Sequence, residues 1–394
     1  MRRRALVTFA CSTALCLVAV AHGATRGAAD TRTGAWDASS CRDVVSTARF
    51  AGAARRAAPL VSRMKAAFAA PGLQVAVAVD GKLVWSRVCG YADVTQRAPT
   101  GSATLFRIGS VSKIFTATAL ARLVQDGKVD LEAEVQRYVQ SFPRKGRPLT
   151  IAHLASHQSG IRHYEGSEAL NTRHYRSVTD SLRVFARDPL LFPPGSDCSY
   201  SSYGFNLLGA ALEGATGTTY SDVLRRTVLG PVGIRRTRPD GTGASGRATF
   251  YEVRENRTAG PAPRVDLSDR YPSGGLLSTA AEVARLGSKL GSPGFLARST
   301  QERSFVERRP ASGRRTGYGL GFEVADSPLG RFVRHLGNVV GGTAFVLAHP
   351  ESKVAIAMTT NVGWVTVRRP PKLGPTVPDP AEIVIPFIEA ARPR

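Results

Sequence analysis

Apolar residues recur along the N-terminal part of the chain in two different periods. Between residues 49 and 70 they return every three or four positions, which predicts an amphipathic helix that Pro71-Gly72 ends. The runs 73–79 and 83–88 are rich in β-forming residues and flank Asp80-Gly81, a pattern typical of a β-hairpin. This part of the sequence therefore predicts a helix followed by two antiparallel strands.

The rest of the pattern predicts helices in the middle and strands near the C-terminus. Residues 110–125 have the spacing of a partly or fully buried helix, and residues 125–290 are mostly helical pattern cut by loops. Strand patterns return at 318–324, 331–335, 342–348 and 354–359. Strands at both ends thus bracket a helical middle. We predict an α/β (α+β) fold in which N- and C-terminal strands form one antiparallel sheet, flanked by helices, with an inserted helical lobe.

The same patterns set the expected domain boundaries. Residues 22–48 are small and polar, and we expect a leader there. One domain is predicted over 49–365, with its helical lobe at about 125–290. Residues 366–394 are expected to form a Pro-rich tail that ends in a short helix.

Residues 1–21 have the composition of a secretory signal peptide. Arg2, Arg3 and Arg4 precede an apolar stretch over 5–21, which ends in Ala19-Val20-Ala21, a small-residue cleavage site. We therefore expect export to a periplasmic or extracellular location. An uncleaved anchor is the alternative, because 17 residues lie at the short limit for crossing a bilayer.

The chain is strongly basic, yet its pattern does not indicate nucleic-acid binding. Its 394 residues carry a net charge of +23, and 45 of the 53 basic residues are arginines. They form no run of five or more, no strip interleaved with aromatic residues and no zinc-finger pattern. We expect no nucleic-acid partner, and we interpret the charge as compatible with association at an anionic cell envelope.

The cysteines and histidines do not predict a metal site or a cofactor. Cys41, Cys89 and Cys198 remain after signal removal, which allows one disulfide and one free thiol, or no disulfide. They contain no Cys-x-x-Cys spacing. His153 and His157 are four apart, but Leu154 stands where a His-Glu-x-x-His zinc motif needs Glu.

Two Ser-x-x-Lys spacings are the candidates for chemistry, at Ser62–Lys65 and Ser110–Lys113. Ser62 lies inside the first predicted helix. Ser110 begins a helix, where its hydroxyl lies near the positive end of the helix dipole and Lys113 projects from the same face one turn later. A serine hydroxyl becomes a nucleophile when a neighbour accepts its proton, and a lysine does so only when neutral. The alternative on local sequence is a helix-capping serine followed by a surface lysine.

A resemblance to a known family supports Ser110. No Gly-x-Ser-x-Gly elbow occurs, which disfavours an α/β-hydrolase. Five segments over residues 60–365 instead resemble, in family order, motifs of the class C β-lactamase and penicillin-binding-protein superfamily. Their form is most similar to the branch of mitochondrial serine β-lactamase-like proteins and their bacterial relatives. The segments are Phe106-Arg107-Ile108-Gly109-Ser110-Val111-Ser112-Lys113, residues 150–160, Phe192-Pro193-Pro194-Gly195 with Tyr200-Ser201-Ser202, Ser273-Gly274-Gly275 and His335-Leu336-Gly337.

The resemblance implies acyl transfer through a serine ester. Ser110 would be the nucleophile, Lys113 and Tyr200 would share proton transfer, and the backbone N–H groups of Ser110 and Asn338 would form the oxyanion hole. Tyr200 would be a base only if Lys113 and other cations favour its phenolate. Gly337 completes the strand motif that precedes Asn338.

Two departures from the family pattern bear on the substrate. The tyrosine motif ends in Ser202 where Asn is usual, and the strand motif has His335 and Leu336 where Lys and Thr are usual. We therefore expect a peptidase or esterase for a small peptide or ester rather than an efficient β-lactamase, with His335 as a candidate hydrogen-bond donor. The alternative hypothesis is a non-catalytic sensor or self-assembling scaffold on the same fold. The sequence leaves an oligomer open.

Overall fold

The structure, a computed structural model, describes residues 41–241, 245–253, 259–363 and 377–392. The predicted signal peptide, residues 22–40 of the predicted leader and most of the predicted Pro-rich segment lie outside these ranges. Within the described ranges, we find no helix whose length and hydropathy would let it cross a bilayer.

One antiparallel sheet joins the two ends of the chain. Its order is β1-β3-β2-β13-β12-β11-β10, and β4 pairs with β3. Two three-stranded sheets, β5-β9-β6 and β14-β7-β8, accompany it. The strands are β1 Cys41–Val45, β2 Gly72–Val79, β3 Lys82–Asp93, β4 Ala98–Pro99, β5 Phe106–Arg107, β6 Arg238–Pro239, β7 Tyr251–Val253, β8 Ala259–Pro261, β9 Leu276–Ser278, β10 Glu323–Ser327, β11 Gly330–Val339, β12 Gly342–His349, β13 Val354–Thr360 and β14 Val362–Gly363.

Helices cover both faces of the large sheet. They are α1 Ala51–Ala67, α2 Ser112–Gln125, α3 Ile151–Ala155, α4 Val178–Ser181, α5 Ser202–Thr216, α6 Tyr220–Leu224, α7 Gly230–Val232, α8 Ala280–Lys289, α9 Arg298–Ser304 and α10 Pro380–Ala391. Strand residues alternate between two cores, as a side-chain period of two requires. On β2, Val75 and Val77 join α1 and α10, whereas Ala76 and Ala78 join the core that contains α2, α5 and α8.

The α/β fold with its terminally assembled antiparallel sheet confirms the prediction, including the hairpin of β2 and β3 and the terminal helix. The predicted helical middle also contains short strands, from β6 to β9. The strand predicted at 318–324 begins only at Glu323. The preceding residues bond elsewhere instead, since Leu320 N–H donates to Ser304 O at 3.0 Å.

The sheet begins inside the range that the sequence assigned to a leader. Strand β1 pairs with β3 in a register that places Cys41 opposite Cys89. These two cysteines form a disulfide, and Cys198 is free. Residues 41–48 therefore belong to the folded domain. Of the two alternatives that the cysteine count left open, the structure has the one with a single disulfide.

Candidate active site

The candidate nucleophile lies on a tight turn at the start of α2. Ser110 sits in a 3₁₀ turn, Gly109–Val111, that leads directly into the helix. Gly109 has φ +49°, and a Cβ atom there would lie 2.9 Å from the backbone nitrogen of Asn338. Only glycine combines this conformation with so close an approach. The turn therefore presents Ser110 beside strand β11.

Lys113 is fully buried beneath Ser110. Its Nζ lies 3.1 Å from Ser110 Oγ and 3.1 Å from Ser202 Oγ, and it donates to Ser273 O at 2.7 Å. Burial lowers the pKa of Lys113 well below its usual value, because a charged ammonium is poorly solvated there. The neutral amine can donate to Ser202 and Ser273 and keep its lone pair for the proton of Ser110.

Tyr200 also contacts the Ser110 hydroxyl. Its hydroxyl donates to Ser110 Oγ over 2.8 Å. Burial raises the pKa of Tyr200 above its usual value, so the side chain remains a phenol. Tyr200 would act as a base only if nearby cations favoured its phenolate form. That condition is not met, because burial also disfavours the charged form of Lys113, and Tyr200 remains a hydrogen-bond donor to Ser110.

Two histidines hold the backbone that follows Tyr200. The Ser201 N–H donates to His157 Nδ1 at 3.2 Å, and the Ser202 N–H donates to His163 Nδ1 at 3.2 Å. The Ser201 hydroxyl also caps α5 by accepting from Gly204 N–H at 2.8 Å. These bonds fix the start of α5, where both Tyr200 and Ser202 lie near the Lys113 amine.

Strand β11 brings the predicted oxyanion residues against the nucleophile turn. A Cβ atom on Gly337 would collide with Ile108 O and lie 3.1 Å from Ser110 N. The next residue, Asn338, has its backbone against Gly109. The backbones of Ser110 and Asn338 are therefore neighbours, as two donors to one oxyanion must be.

His335 lies in the site but differs from its predicted role as a hydrogen-bond donor. Its Nδ1 donates to Leu336 O at 2.7 Å. Burial lowers the pKa of His335 to about 3. The ring is therefore neutral, and its Nε2 carries a lone pair rather than a proton. His335 offers the site an acceptor. Leu336, beside it, is 37% exposed.

Several contributors were not assigned a role from the sequence. Ser273 supplies the carbonyl that holds Lys113, and its hydroxyl lies 3.1 Å from the Tyr164 hydroxyl. His157 and His163 act on backbone N–H groups. Ser273 and His157 lie in segments that carry the family resemblance. That resemblance was the one signal in the sequence that could have found them.

The other candidates lie elsewhere or have structural partners. Ser62 donates back to Ala58 O within α1 at 3.3 Å, so the second Ser-x-x-Lys spacing is part of a helix. His153 Nδ1 accepts from Thr150 N–H at 3.3 Å in the capping of α3. In the described part of the chain, we find no group of three His, Cys, Asp or Glu side chains placed to hold a metal ion.

The comparison with protein families decides the relationship. The family model described as beta-lactamase matches residues 58–366. The chain belongs to the β-lactamase family. This confirms the family that the five sequence motifs indicated.

Relatives and solved structures of this β-lactamase-family chain share both sequence and fold. The human serine beta-lactamase-like protein LACTB, mitochondrial, is 31% identical over 312 residues, covering 61% of this chain and 57% of the human protein. A D-aminopeptidase of Gluconobacter oxydans is 34% identical over 200 residues, covering 46% and 36%. The octameric penicillin-binding protein homologue from Pyrococcus abyssi superposes with a TM-score of 0.67 at 25% identity, covering 78% and 73%. The chain thus spans just over half of the human relative.

Proposed function

We propose that this β-lactamase-family chain is a serine hydrolase that works through a serine acyl-enzyme. One observation carries the proposal: Ser110 Oγ lies within 3.1 Å of a buried Lys113 amine and 2.8 Å of the Tyr200 phenol. A base and a proton donor thereby both contact the nucleophilic oxygen atom of Ser110.

The geometry supports a complete order of proton transfers. Lys113 takes the Ser110 proton as Oγ attacks the carbonyl carbon of the substrate. The negative oxygen that forms is held by the Ser110 and Asn338 N–H groups, each worth about 3 kcal/mol in such sites. Tyr200 delivers a proton to the leaving group and recovers one from Lys113. Water then releases the acyl group by the same steps in reverse.

We infer that the substrate is a small peptide or ester rather than a β-lactam. Where the family strand motif usually has Lys and Thr, this chain has a neutral His335 and an exposed Leu336. These side chains replace the cation and hydroxyl that would grip a carboxylate. The match to a D-aminopeptidase supports amide or peptide cleavage.

Burst kinetics on matched substrates test both parts of the proposal. A p-nitrophenyl ester, the corresponding anilide, a short D- or L-amino acid amide series and nitrocefin are compared on the wild-type protein. We expect an ester or amide burst equal to the enzyme concentration, absent in Ser110→Ala and retained in Ser62→Ala, with far slower nitrocefin turnover. A burst retained in Ser110→Ala contradicts the mechanism. A kcat/KM for nitrocefin above that for every ester and amide contradicts the substrate class.

We infer further that the chain works outside the cytoplasm. The N-terminal pattern of residues 1–21 and the Cys41–Cys89 disulfide support this, because disulfides persist in oxidising compartments. Fractionation of expressing cells, with the N-terminus read by mass spectrometry, distinguishes cleaved export from an uncleaved anchor. A reduced, cytoplasmic, full-length chain contradicts export.

Self-association is a separate proposal, supported by the octameric Pyrococcus abyssi homologue. Light scattering after size-exclusion chromatography measures it directly. We expect a mass of two or more chains. A monomer across the micromolar range contradicts self-association.

A further inference from the structure

Arg107 places a buried guanidinium between two segments of the site. Its Nε donates to Asp240 Oδ2 at 2.6 Å, and its Nη1 donates to Val340 O at 2.8 Å. The Phe250 ring covers the guanidinium at 4.2 Å from its centroid. A buried cation with this many directed partners holds one orientation, because the planar guanidinium fixes the angle between its donors.

The hydrogen bond from Arg107 to Val340 joins the two segments that contain the predicted oxyanion donors. Arg107 belongs to β5 and precedes Ser110 by three residues. Val340 lies in the turn between β11 and β12 and follows Asn338 by two residues. The Arg107–Val340 hydrogen bond therefore ties the turn that carries one N–H group to the hairpin that carries the other.

The contact between these segments is close enough for the bridge to set their spacing. A Cβ atom on Gly109 would lie 2.9 Å from the Asn338 nitrogen, and a Cβ atom on Gly337 would lie 3.1 Å from the Ser110 nitrogen. Oxyanion donors must stand within a few tenths of an ångström of their working distance. A small outward shift of the hairpin tip would separate the Ser110 and Asn338 N–H groups.

Asp240 keeps the Arg107 side chain aimed at the hairpin. Asp240 is buried, and its N–H donates to Gly275 O at 2.9 Å. Its second oxygen, Oδ1, accepts from Arg247 Nη1 at 2.8 Å. The Arg247 side chain is 41% exposed. It binds the same carboxylate from the outside and offers a matched control.

We propose that Arg107 is a positioning residue that sets the width of the oxyanion hole, acting through Val340 and Asp240. This role rests on the proposed function. It assigns to Arg107 a share in catalysis without contact with the substrate. Arg107→Lys keeps a positive charge beside Asp240 but cannot donate to Asp240 and Val340 in the same fork geometry.

The test compares an oxoester with its thionoester, which differ only in the atom that occupies the oxyanion hole. Sulfur is larger than oxygen and a weaker hydrogen-bond acceptor, so the rate ratio of the two substrates reports on the hole itself. We expect wild type to prefer the oxoester. We expect Arg107→Lys to lower the oxoester kcat by about 10- to 100-fold, with KM little changed, and to lower the oxoester-to-thionoester ratio. Arg247→Lys is expected to leave kcat, KM and the ratio at wild-type values.

Thermal unfolding midpoints accompany the kinetics, and all rates are measured well below them. If Arg107→Lys does not fold, Asp240→Asn takes its place, because it leaves Arg107 present but less firmly aimed. A lower ratio in either variant supports the proposal. A ratio unchanged from wild type overturns it, whether or not kcat falls. A wild-type protein that forms no acyl-enzyme overturns the proposed function instead, and the two failures are thereby distinguished.

Discussion

Tyr200 donates a 2.8 Å hydrogen bond to Ser110, and burial raises the pKa of the Tyr200 phenol. The tyrosine is therefore protonated when a substrate arrives. In the proposed mechanism the base is Lys113, whose pKa burial lowers. One buried environment thus drives two pKa values in opposite directions and assigns the proton donor and the acceptor.

Replacing Tyr200 with Phe tests its role as proton donor. We expect kcat to fall on the order of 10²-fold or more, with the fold retained, because the leaving group loses its proton source. Tyr318→Phe is the matched control. The Tyr318 hydroxyl is also buried, but it has no hydrogen-bond partner among the described residues. Steady-state kinetics on an ester with a poor leaving group measure both variants, and equal losses in the two would contradict the assignment.

The pH dependence of acylation tests the neutral lysine. Because burial lowers the pKa of Lys113, the rate should rise with pH through an inflection well below the usual lysine value of about 10.4. Lys113→Met should lose acylation, and Lys65→Met, in the other Ser-x-x-Lys segment, should keep it. Stopped-flow acylation across pH provides the measurement. An inflection at the usual lysine value would show that Lys113 is charged at neutral pH.

The lowered pKa of Lys113 should also make the free energy of unfolding rise with pH, as it does the acylation rate. Between the lowered folded pKa and the usual value, the unfolded chain binds a proton that the folded chain does not. The free energy of unfolding therefore rises with pH in that window. Relative to wild type, Lys113→Met should be most stable at low pH, and its advantage should shrink as pH rises. Denaturant unfolding of both proteins over this range measures the difference, and an advantage that grows with pH would be the wrong sign.

Two buried histidines should make the fold sensitive to acid. Burial lowers the pKa of His163 and of His335 to about 3. As pH falls below the usual histidine value of about 6.5, the unfolded chain gains protons and the folded chain does not. Stability should then fall by up to about 1.4 kcal/mol per pH unit for each histidine. His335→Gln should weaken this slope. An NMR titration in which His335 changes charge between pH 5 and pH 8 would contradict the explanation.

The disulfide should stabilise the domain without taking part in catalysis. Cys41 and Cys89 are 48 residues apart, and closing a loop of that size contributes about 4 kcal/mol in the chain-entropy description. Cys41→Ser with Cys89→Ser should lower the free energy of unfolding by up to that amount and leave kcat near wild type at low temperature. Denaturant unfolding and ester kinetics of the double variant measure both. A large loss of kcat in a double variant shown to be folded would contradict this prediction, because β1 would then help to hold the active site in place.

The sequence predicted those helices and strands whose formation depends mainly on their own residues. The hairpin of β2 and β3 has two runs of β-forming residues around Asp80-Gly81, which is a sufficient local pattern. Strand β1 has no such pattern, since its last four residues are exposed. Its place depends on pairing with β3 and on the disulfide to Cys89, which no local pattern contains.

The active site likewise combines a local contact, which the sequence predicted, with long-range contacts, which it did not. Ser110 and Lys113 are three residues apart, on a 3₁₀ turn and the first turn of α2, so their meeting follows from local helical geometry. Lys113 also depends on the Ser273 carbonyl, 160 residues away, and the N–H groups of Ser201 and Ser202 depend on imidazoles. Backbone carbonyls carry no residue signature, and the role of each histidine nitrogen depends on its tautomer. Those contributions became visible only with the fold.

Labelling with a fluorophosphonate shows whether Ser110 is an activated nucleophile. The folded wild-type protein, Ser110→Ala and Ser62→Ala are each treated and mapped by peptide mass spectrometry. We expect one adduct, on Ser110, in wild type and in Ser62→Ala, and none in Ser110→Ala. An adduct on another residue, or folded wild-type protein that stays unlabelled while it also fails to turn over every ester and amide, would contradict an activated Ser110.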